Sequence, residues 1–145
     1  MIENRQARFQ YHIEDKFEAG LALKGAEVKS IREGGFELKE SFILTKDGEL
    51  YIEGAYIKPY VHQGKDPLSP TRRRKLLLNR REINRLTAEV QRNGMSIVPL
   101  KAYFKRGRIK LEIGLGKGKK NIMKRETIKK RETERNMRRM QKIRK

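Results

Sequence analysis

The stretch SIVPLKAYFKRGRIKLEIGL, residues 96–115, has the pattern of a β-hairpin. Two β-rich runs flank Gly107, which lies near the expected turn. In the second run Ile109, Leu111 and Ile113 alternate with charged residues. Because successive side chains of a strand point to opposite faces, this alternation predicts that one face of the second strand is buried. The stretch therefore predicts two antiparallel strands of a half-buried sheet.

Two further segments extend the β pattern toward the amino terminus. ESFILTKDGELYIEGAYI, residues 40–57, has two β-rich runs around Asp47-Gly48, a dipeptide typical of two-residue hairpin turns. Residues 7–25, ARFQYHIEDKFEAGLALKG, are expected to form an opening strand bent at Gly20. Many short antiparallel strands with turns between them are typical of small barrels. We therefore predict a mainly β fold built on a small closed barrel.

Two helices are expected to interrupt these strands. GAEVKSIREGG, residues 25–35, predicts a short helix that ends at its two glycines. NRREINRLTAEVQRNG, residues 79–94, is more strongly marked, because Asn79 can cap its start, Glu82 stands at the capping-box position and Gly94 fits its end. Its apolar face follows the helical spacing at Ile83, Leu86, Thr87 and Val90.

The segment RRRKLLLNRREI, residues 72–83, sets four consecutive cations against three consecutive leucines. Three adjacent leucines do not fit one helix stripe or one strand face, so the segment is expected to pass from an extended stretch into a helix. Most of the leucines then reach the core, while the cations stay outside. A fixed cationic edge of this kind suits a polyanion of defined shape.

Composition also points to a polyanionic partner. The chain has 145 residues, a formal net charge of +19 and a sequence pI near 10.4, and nucleic acid is the commonest partner for such a charge surplus. It has no cysteine, which rules out disulfides and Cys-ligated zinc. With no recognisable signal segment and no apolar run of membrane-spanning length, we expect a cytoplasmic protein without membrane contact.

The charge is distributed unevenly along the chain. Residues 117–145 contain fourteen Lys or Arg against three Glu, and their apolar residues are too sparse to form a core stripe. We therefore predict a folded barrel over residues 1–115 and a basic tail over residues 116–145. The tail is expected to be disordered when free and helical when RNA neutralises its charge.

No motif in the sequence favours catalysis or a cofactor. GLGKGKK, residues 114–120, lacks the spacing and the Ser/Thr of a phosphate-binding loop and is better interpreted as a flexible basic hinge. His12 and His62 are too far apart in the chain to suggest a metal site. Carboxylate pairs such as Glu14-Asp15 are unremarkable in a chain with 18 acidic residues. We expect no enzymatic activity, cofactor, metal ion or small-molecule substrate.

Several segments resemble the small protein B family of bacterial trans-translation, whose members bind transfer-messenger RNA. They occur in family order as NRQAR, FEAGLALKGAEVKSIREG, PTRRRKLLLNRREI, VPLKAYFKRGRIKLEIGLGKGKK and KRETIKKRE. The resemblance implies a small OB-like antiparallel β-barrel with two to three helices and a basic C-terminal tail. It also implies a function, which is to bind the tRNA-like domain of transfer-messenger RNA and to help that RNA enter stalled ribosomes. The resemblance further implies that the protein contacts the ribosome through 16S rRNA, in the decoding centre and the mRNA channel.

The resemblance also assigns residues. The family's RNA-binding positions match Glu18, Leu77 and Asn79, and its amino-terminal motif matches Asn4, Arg5 and Arg8. On charge alone we add phosphate-binding candidates at Lys29, Arg72, Arg74, Lys75 and Arg80. The ribosome-contacting tail segment matches Lys117, Lys119, Lys120, Lys124 and Arg125, together with Ile122, where the family commonly has His or Tyr.

Two other functions compete with this interpretation. A structural ribosomal protein that binds rRNA permanently would have the same composition, but it would co-purify stoichiometrically with ribosomes. An RNA-modifying enzyme would need a cofactor loop or a clustered acid/base group, and the sequence has neither.

Overall fold

The computed structural model describes residues 2–60 and 68–119. In these two ranges the chain forms nine strands and three helices. In chain order they are β1 (Ile2–Glu3), α1 (Arg5–Gln10), β2 (Tyr11–Leu21), α2 (Gly25–Arg32), β3 (Phe36–Glu37), β4 (Phe42–Lys46), β5 (Glu49–Glu53), β6 (Tyr56–Ile57), β7 (Arg74–Leu77), α3 (Arg80–Asn93), β8 (Ser96–Lys105) and β9 (Arg108–Gly118).

Both predicted hairpins are confirmed. The β4–β5 turn has φ angles of 51° at Asp47 and 76° at Gly48, and the β8–β9 turn has 52° at Arg106 and 76° at Gly107. Positive φ at both central residues makes a turn whose twist matches that of the flanking strands. In each turn glycine occupies the second position, where it adopts this conformation without steric cost.

The sheet is antiparallel but is not a closed barrel. Seven strands pair in the order β1-β8-β9-β2-β7-β5-β4, and β3 pairs with β6 in a separate two-stranded sheet. The mainly β, OB-like class is therefore confirmed, whereas closure of the sheet is wrong for the described residues. The edge strand β4 lies beside β8 but shares no ladder with it, and both strands contribute core residues such as Ile43 and Ile97. Between β4 and β8, side-chain packing therefore replaces the backbone hydrogen bonds that would close a barrel.

The inner face of the sheet carries the main hydrophobic core. Ile109, Leu111 and Ile113 of β9 are all buried there, as the alternation predicts. Leu86 of α3 and Ile31 of α2 belong to the same core cluster, so both helices lie against the inner face. Among the described residues, this packing puts α2 and α3 together on one side of the sheet.

The amino-terminal segment differs from the prediction. Residues 5–10 form helix α1 rather than the start of a strand, and β2 begins only at Tyr11. Ala7 of this helix packs with Val98 and Leu100 in a small second core, so the helix covers apolar side chains that the sheet would otherwise expose. Strand β2 runs through Gly20 to Leu21, and the irregularity in its pairing with β9 lies between residues 13 and 15.

Helix α3 has the predicted ends. The Asn79 side chain accepts a hydrogen bond from the Glu82 backbone N–H at 2.9 Å, and Gly94 has a φ of 61° at the C-terminal cap. The Asn79 contact and the hydrogen bond from the Gly94 backbone N–H to the Glu89 carbonyl satisfy backbone groups that a helix end leaves unpaired. The predicted helix at residues 25–35 is confirmed as α2, which is followed by Gly34 with a φ of 85°.

Strand β9 continues beyond the predicted end of the folded body. Gly116 pairs with Ser96 on one side and Ile13 on the other, and the pairing with β2 extends to Gly118. Residues 116–118, which composition assigns to the tail, are therefore part of the sheet rather than a hinge. Within residues 2–60 and 68–119, none of the helices combines the length and apolar character needed to cross a membrane.

Candidate nucleic-acid interface

The pairing of β2 with β7 brings two predicted site residues to the outer face of the sheet. Gly20 lies opposite Leu77, and an added Cβ on Gly20 would meet the Leu77 Cβ at 3.2 Å. Leu77 is 52% exposed, whereas Leu76 beside it is fully buried. Since residues two apart share a strand face, Glu18 lies on the same outer face as Gly20. The three consecutive leucines therefore divide between the two faces of the sheet, and only Leu77 is left outside.

A depression at the start of α3 gathers four of the predicted residues, namely Lys75, Leu77, Asn79 and Arg80, together with Glu49. Glu49 organises the cations, because its carboxylate lies 2.8 Å from Arg80 Nη2 and 3.8 Å from Lys75 Nζ. Arg80 Nη1 also donates to the Gly48 carbonyl at 2.7 Å. Both cationic side chains remain about half exposed, so phosphates can reach them.

Glu18 lies at the centre of a second polar group on the outer face. The Tyr103 hydroxyl donates to its Oε2, and Lys105 Nζ lies 3.3 Å from its Oε1. The Tyr103 hydrogen bond, followed by the Lys105 contact, holds the pKa of Glu18 below its ordinary value although desolvation opposes this. Burial, with a further contribution from the Glu18 hydrogen bond, raises the pKa of Tyr103 to about 12. At neutral pH the pair is thus an ionised carboxylate held by a neutral phenol.

Sequence reasoning missed the cations that surround Glu18. Depressions on its two sides are lined by basic side chains at Lys16, Lys101, Lys105, Arg106, Arg108 and Lys110. Glu112 lies within this group, 3.2 Å from Lys101 Nζ and 3.9 Å from Lys16 Nζ. The alternation of basic and apolar residues in the β8–β9 hairpin is a signal that could have revealed the group, because it places the charges on one face.

The role predicted for Arg74 is wrong, because its side chain is only 1% exposed. Its Nε donates to Glu27 at 2.8 Å, and its other nitrogens donate to the carbonyls of Ala55 and Pro70. Arg72 also donates to Glu27, at 2.5 Å, but remains partly exposed. Arg74 therefore connects α2 to β7 inside the domain and has no free surface for a phosphate.

The remaining predicted body residues lie on other parts of the domain. Lys29 is exposed on α2, with its Nζ 5.7 Å from the centre of the Tyr60 ring. Arg5 and Arg8 are exposed on α1. Asn4 is buried, and its Nδ2 donates to the Pro99 carbonyl at 2.9 Å, so this side chain makes a structural contact with β8.

Two predicted tail residues fall within the structure. Lys117 lies opposite His12 in β9, and Lys119 is exposed just after that strand. Four others lie outside the described residues: Lys120, Ile122, Lys124 and Arg125. The first positions assigned to the tail therefore lie at the end of strand β9, which pairs with a neighbour on each side.

The OB-like sheet and its basic outer face define a nucleic-acid-binding domain of the type that contacts RNA. Comparison with known proteins identifies the family. The family model described as SmpB protein matches residues 1–143. The chain therefore belongs to the SmpB protein family.

Individual relatives agree with this assignment. The SsrA-binding protein of Rhizobium meliloti (strain 1021) is 50% identical over 145 residues, covering 99% of this chain and 91% of the relative. The SsrA-binding protein of Chlorobaculum tepidum is 47% identical over 142 residues, covering 97% and 90%. A solved structure described as "tmRNA-SmpB: a journey to the center of the bacterial ribosome" is 48% identical, with a TM-score of 0.66, and the match covers 81% of this chain and 83% of that chain.

Proposed function

We propose that this chain binds the tRNA-like domain of transfer-messenger RNA, also called SsrA RNA, and delivers it to stalled ribosomes for trans-translation. The observation that carries the proposal is the outer face of the sheet. Exposed cations, the apolar Leu77 side chain and the Glu18 carboxylate share this one rigid surface. The names of the curated relatives and the description of the solved structure support the same RNA and the ribosome as partners.

The body recognises folded RNA by its shape and its backbone. Lys75 and Arg80 bind phosphates at the start of α3, and the cations around Glu18 bind phosphates on β8 and β9. Because strands and a capped helix hold these groups, their spacing is fixed before RNA arrives. In this function neither the body nor the tail makes or breaks a covalent bond, so the function requires no enzymatic activity.

The basic tail supplies the contact with the ribosome. Net positive charge is concentrated in residues 117–145. Strand β9 ends at Gly118, at the start of this segment. The tail enters the mRNA channel left empty on a stalled ribosome and orders there against 16S rRNA, with the position of Ile122 near the decoding centre. The body and the tail therefore have separate tasks, one on transfer-messenger RNA and one on the ribosome.

The salt dependence of RNA binding tests the body's role. Replacing Lys75 and Arg80 with alanine should make the negative slope of log affinity against log salt shallower, by about one unit for each phosphate that the variant can no longer bind. Arg92→Ala, in the last turn of α3, is the matched control and should leave the slope unchanged. Fluorescence anisotropy with the isolated tRNA-like domain measures both. An unchanged slope in the double variant contradicts the proposed interface.

Co-purification separates this function from that of a resident ribosomal protein. RNA recovered with the tagged full-length chain should be enriched in transfer-messenger RNA relative to rRNA. A constant one-to-one ratio to ribosomes, with no such enrichment, would instead identify a structural ribosomal protein.

A further inference from the structure

The depression at the start of α3 has balanced charge, although the protein as a whole is strongly basic. Among the described residues that line it, Lys75 and Arg80 are basic, Glu49 and Glu82 are acidic, and the others are uncharged. Net charge therefore does not draw a polyanion of arbitrary shape to this place. If phosphates bind here, as the proposed RNA-binding function requires, individual hydrogen bonds must hold them in fixed positions.

The Arg80 side chain is attached at two points to the β4–β5 hairpin. Its Nη2 donates to Glu49 Oε1 at 2.8 Å, and its Nη1 donates to the Gly48 carbonyl at 2.7 Å. A guanidinium has more N–H donors than these two hydrogen bonds use. The Arg80 side chain is still 59% exposed, so a ligand can reach the remaining donors. The two contacts therefore fix the direction of the guanidinium and leave donors for a phosphate.

The Glu49 carboxylate is shared by cations from two other elements. Glu49 is on β5, Lys75 is on β7 with its Nζ 3.8 Å from the carboxylate, and Arg80 is on α3. A long exposed cation without such a partner samples many rotamers, and ordering it on binding reduces affinity. Here the ordering is complete before RNA arrives. Only an RNA whose phosphates match the fixed positions benefits from it.

Glu49 has two opposite effects on RNA binding. Its negative charge weakens the attraction of any nearby phosphate, whichever RNA carries it. Its contacts with Lys75 and Arg80 strengthen binding only of an RNA that reaches both oriented cations. We infer that Glu49 is a positioning residue that makes no RNA contact of its own, and that it sets the selectivity for the folded tRNA-like domain over other RNA by orienting Arg80 and Lys75.

Titration of the full-length protein with two RNAs tests the inference. One RNA is the isolated tRNA-like domain, and the other is a simple RNA hairpin of equal length, which has the same phosphate charge without the same fold. Glu49→Ala should bind the hairpin more tightly than the unmodified protein does. The ratio of the affinity for the tRNA-like domain to that for the hairpin should fall roughly 2- to 12-fold, the cost of ordering one long side chain. The charge effect is common to both RNAs and cancels in this ratio.

Three further variants separate positioning from charge. Glu49→Gln removes the charge but keeps an acceptor oxygen for Arg80, so its ratio should fall less than that of Glu49→Ala. Glu53→Gln is the matched control, because it removes a carboxylate from the same strand whose partner Arg73 is exposed and 3.3 Å away, and its ratio should stay unchanged. In an Arg80→Ala background, Glu49→Ala should lower the ratio less than it does in the unmodified protein, since the main side chain that it orients is gone.

Each result has a defined meaning. Equal affinity of the unmodified protein for the two RNAs overturns the proposed function itself. Selective binding that Glu49→Ala leaves unchanged overturns the positioning role, as does an equally large fall in the Arg80→Ala background. Thermal melts of each variant accompany the titrations. If the ratio of Glu49→Ala returns to the unmodified value at a lower temperature, where the variant is fully folded, Glu49 only stabilises the fold and the inference is wrong.

Discussion

Replacing Glu27 with glutamine should destabilise the domain more than any surface ion-pair change. Glu27 is 4% exposed in its side chain and accepts hydrogen bonds from Arg72 at 2.5 Å and from Arg74 at 2.8 Å. The substitution keeps the side-chain size but leaves the buried Arg74 guanidinium without its counter-charge. Breaking one partner of a buried pair costs about 3–5 kcal/mol. For a domain of this size, that corresponds to a fall of roughly 10–20 °C in melting temperature.

The pH dependence of this loss has a defined sign. Burial alone would raise the pKa of Glu27, but hydrogen bonds from Arg72, the Lys24 backbone and Arg74 hold it below the ordinary value of 4.5. The folded pKa is therefore lower than the unfolded one, so the stabilisation is fully present above about pH 4.5 and is lost as the pH falls through the folded pKa. The difference between Glu27→Gln and the unmodified protein should consequently shrink in acid.

Urea unfolding at pH 7 and at successively lower pH, followed by circular dichroism, measures both effects. Glu53→Gln is the matched control, because its ion pair with Arg73 is exposed and 3.3 Å long, and it should cost less than about 1 kcal/mol. The reasoning is refuted if Glu27→Gln costs no more than Glu53→Gln at pH 7. It is also refuted if the cost of Glu27→Gln does not decrease as the pH is lowered.

Three further changes test other parts of the molecule. Asn79→Ala should cost about 1 kcal/mol in thermal melts by removing the cap of α3, and RNA titration should show weaker binding as well; equal affinity would leave Asn79 with a capping role only. Gly116→Ala should cost about 1–3 kcal/mol, because its added Cβ would lie 2.3 Å from the His12 carbonyl oxygen, whereas Gly25→Ala meets nothing within 4 Å and should be tolerated in the same melts. Deleting residues 120–145 should leave the body folded and able to bind transfer-messenger RNA while abolishing tagging in a reconstituted non-stop translation reaction; full tagging by the truncated chain, or loss of RNA binding in proportion to tagging, would contradict the division between body and tail.

Local features of this fold could be predicted because a few neighbouring residues decide them. Asp47-Gly48 forms a hairpin turn since glycine adopts positive φ at no steric cost, and the Asn79 cap depends only on a backbone N–H three residues away. Alternation along the first half of β9 likewise predicted the burial of Ile109, Leu111 and Ile113, because a strand repeats every two residues. The charge of the chain and the family-like segments were sufficient to predict RNA as the partner.

Features that depend on distant residues required the tertiary structure. Arg74 looks like one more surface cation in the sequence, yet it is buried because Glu27, 47 residues away, supplies its counter-charge. The contact between Glu18 and Tyr103 joins residues 85 apart, through strands whose pairing no local pattern determines. Helix α1 packs on apolar side chains of the sheet, Val98 and Leu100, which lie far from it in sequence. The sheet stays open because β4 and β8 are joined by side-chain packing and not by backbone hydrogen bonds. In each case the stabilising contact is made with a partner that is distant in sequence and is brought close only by folding. The neighbouring residues in the sequence therefore do not indicate it.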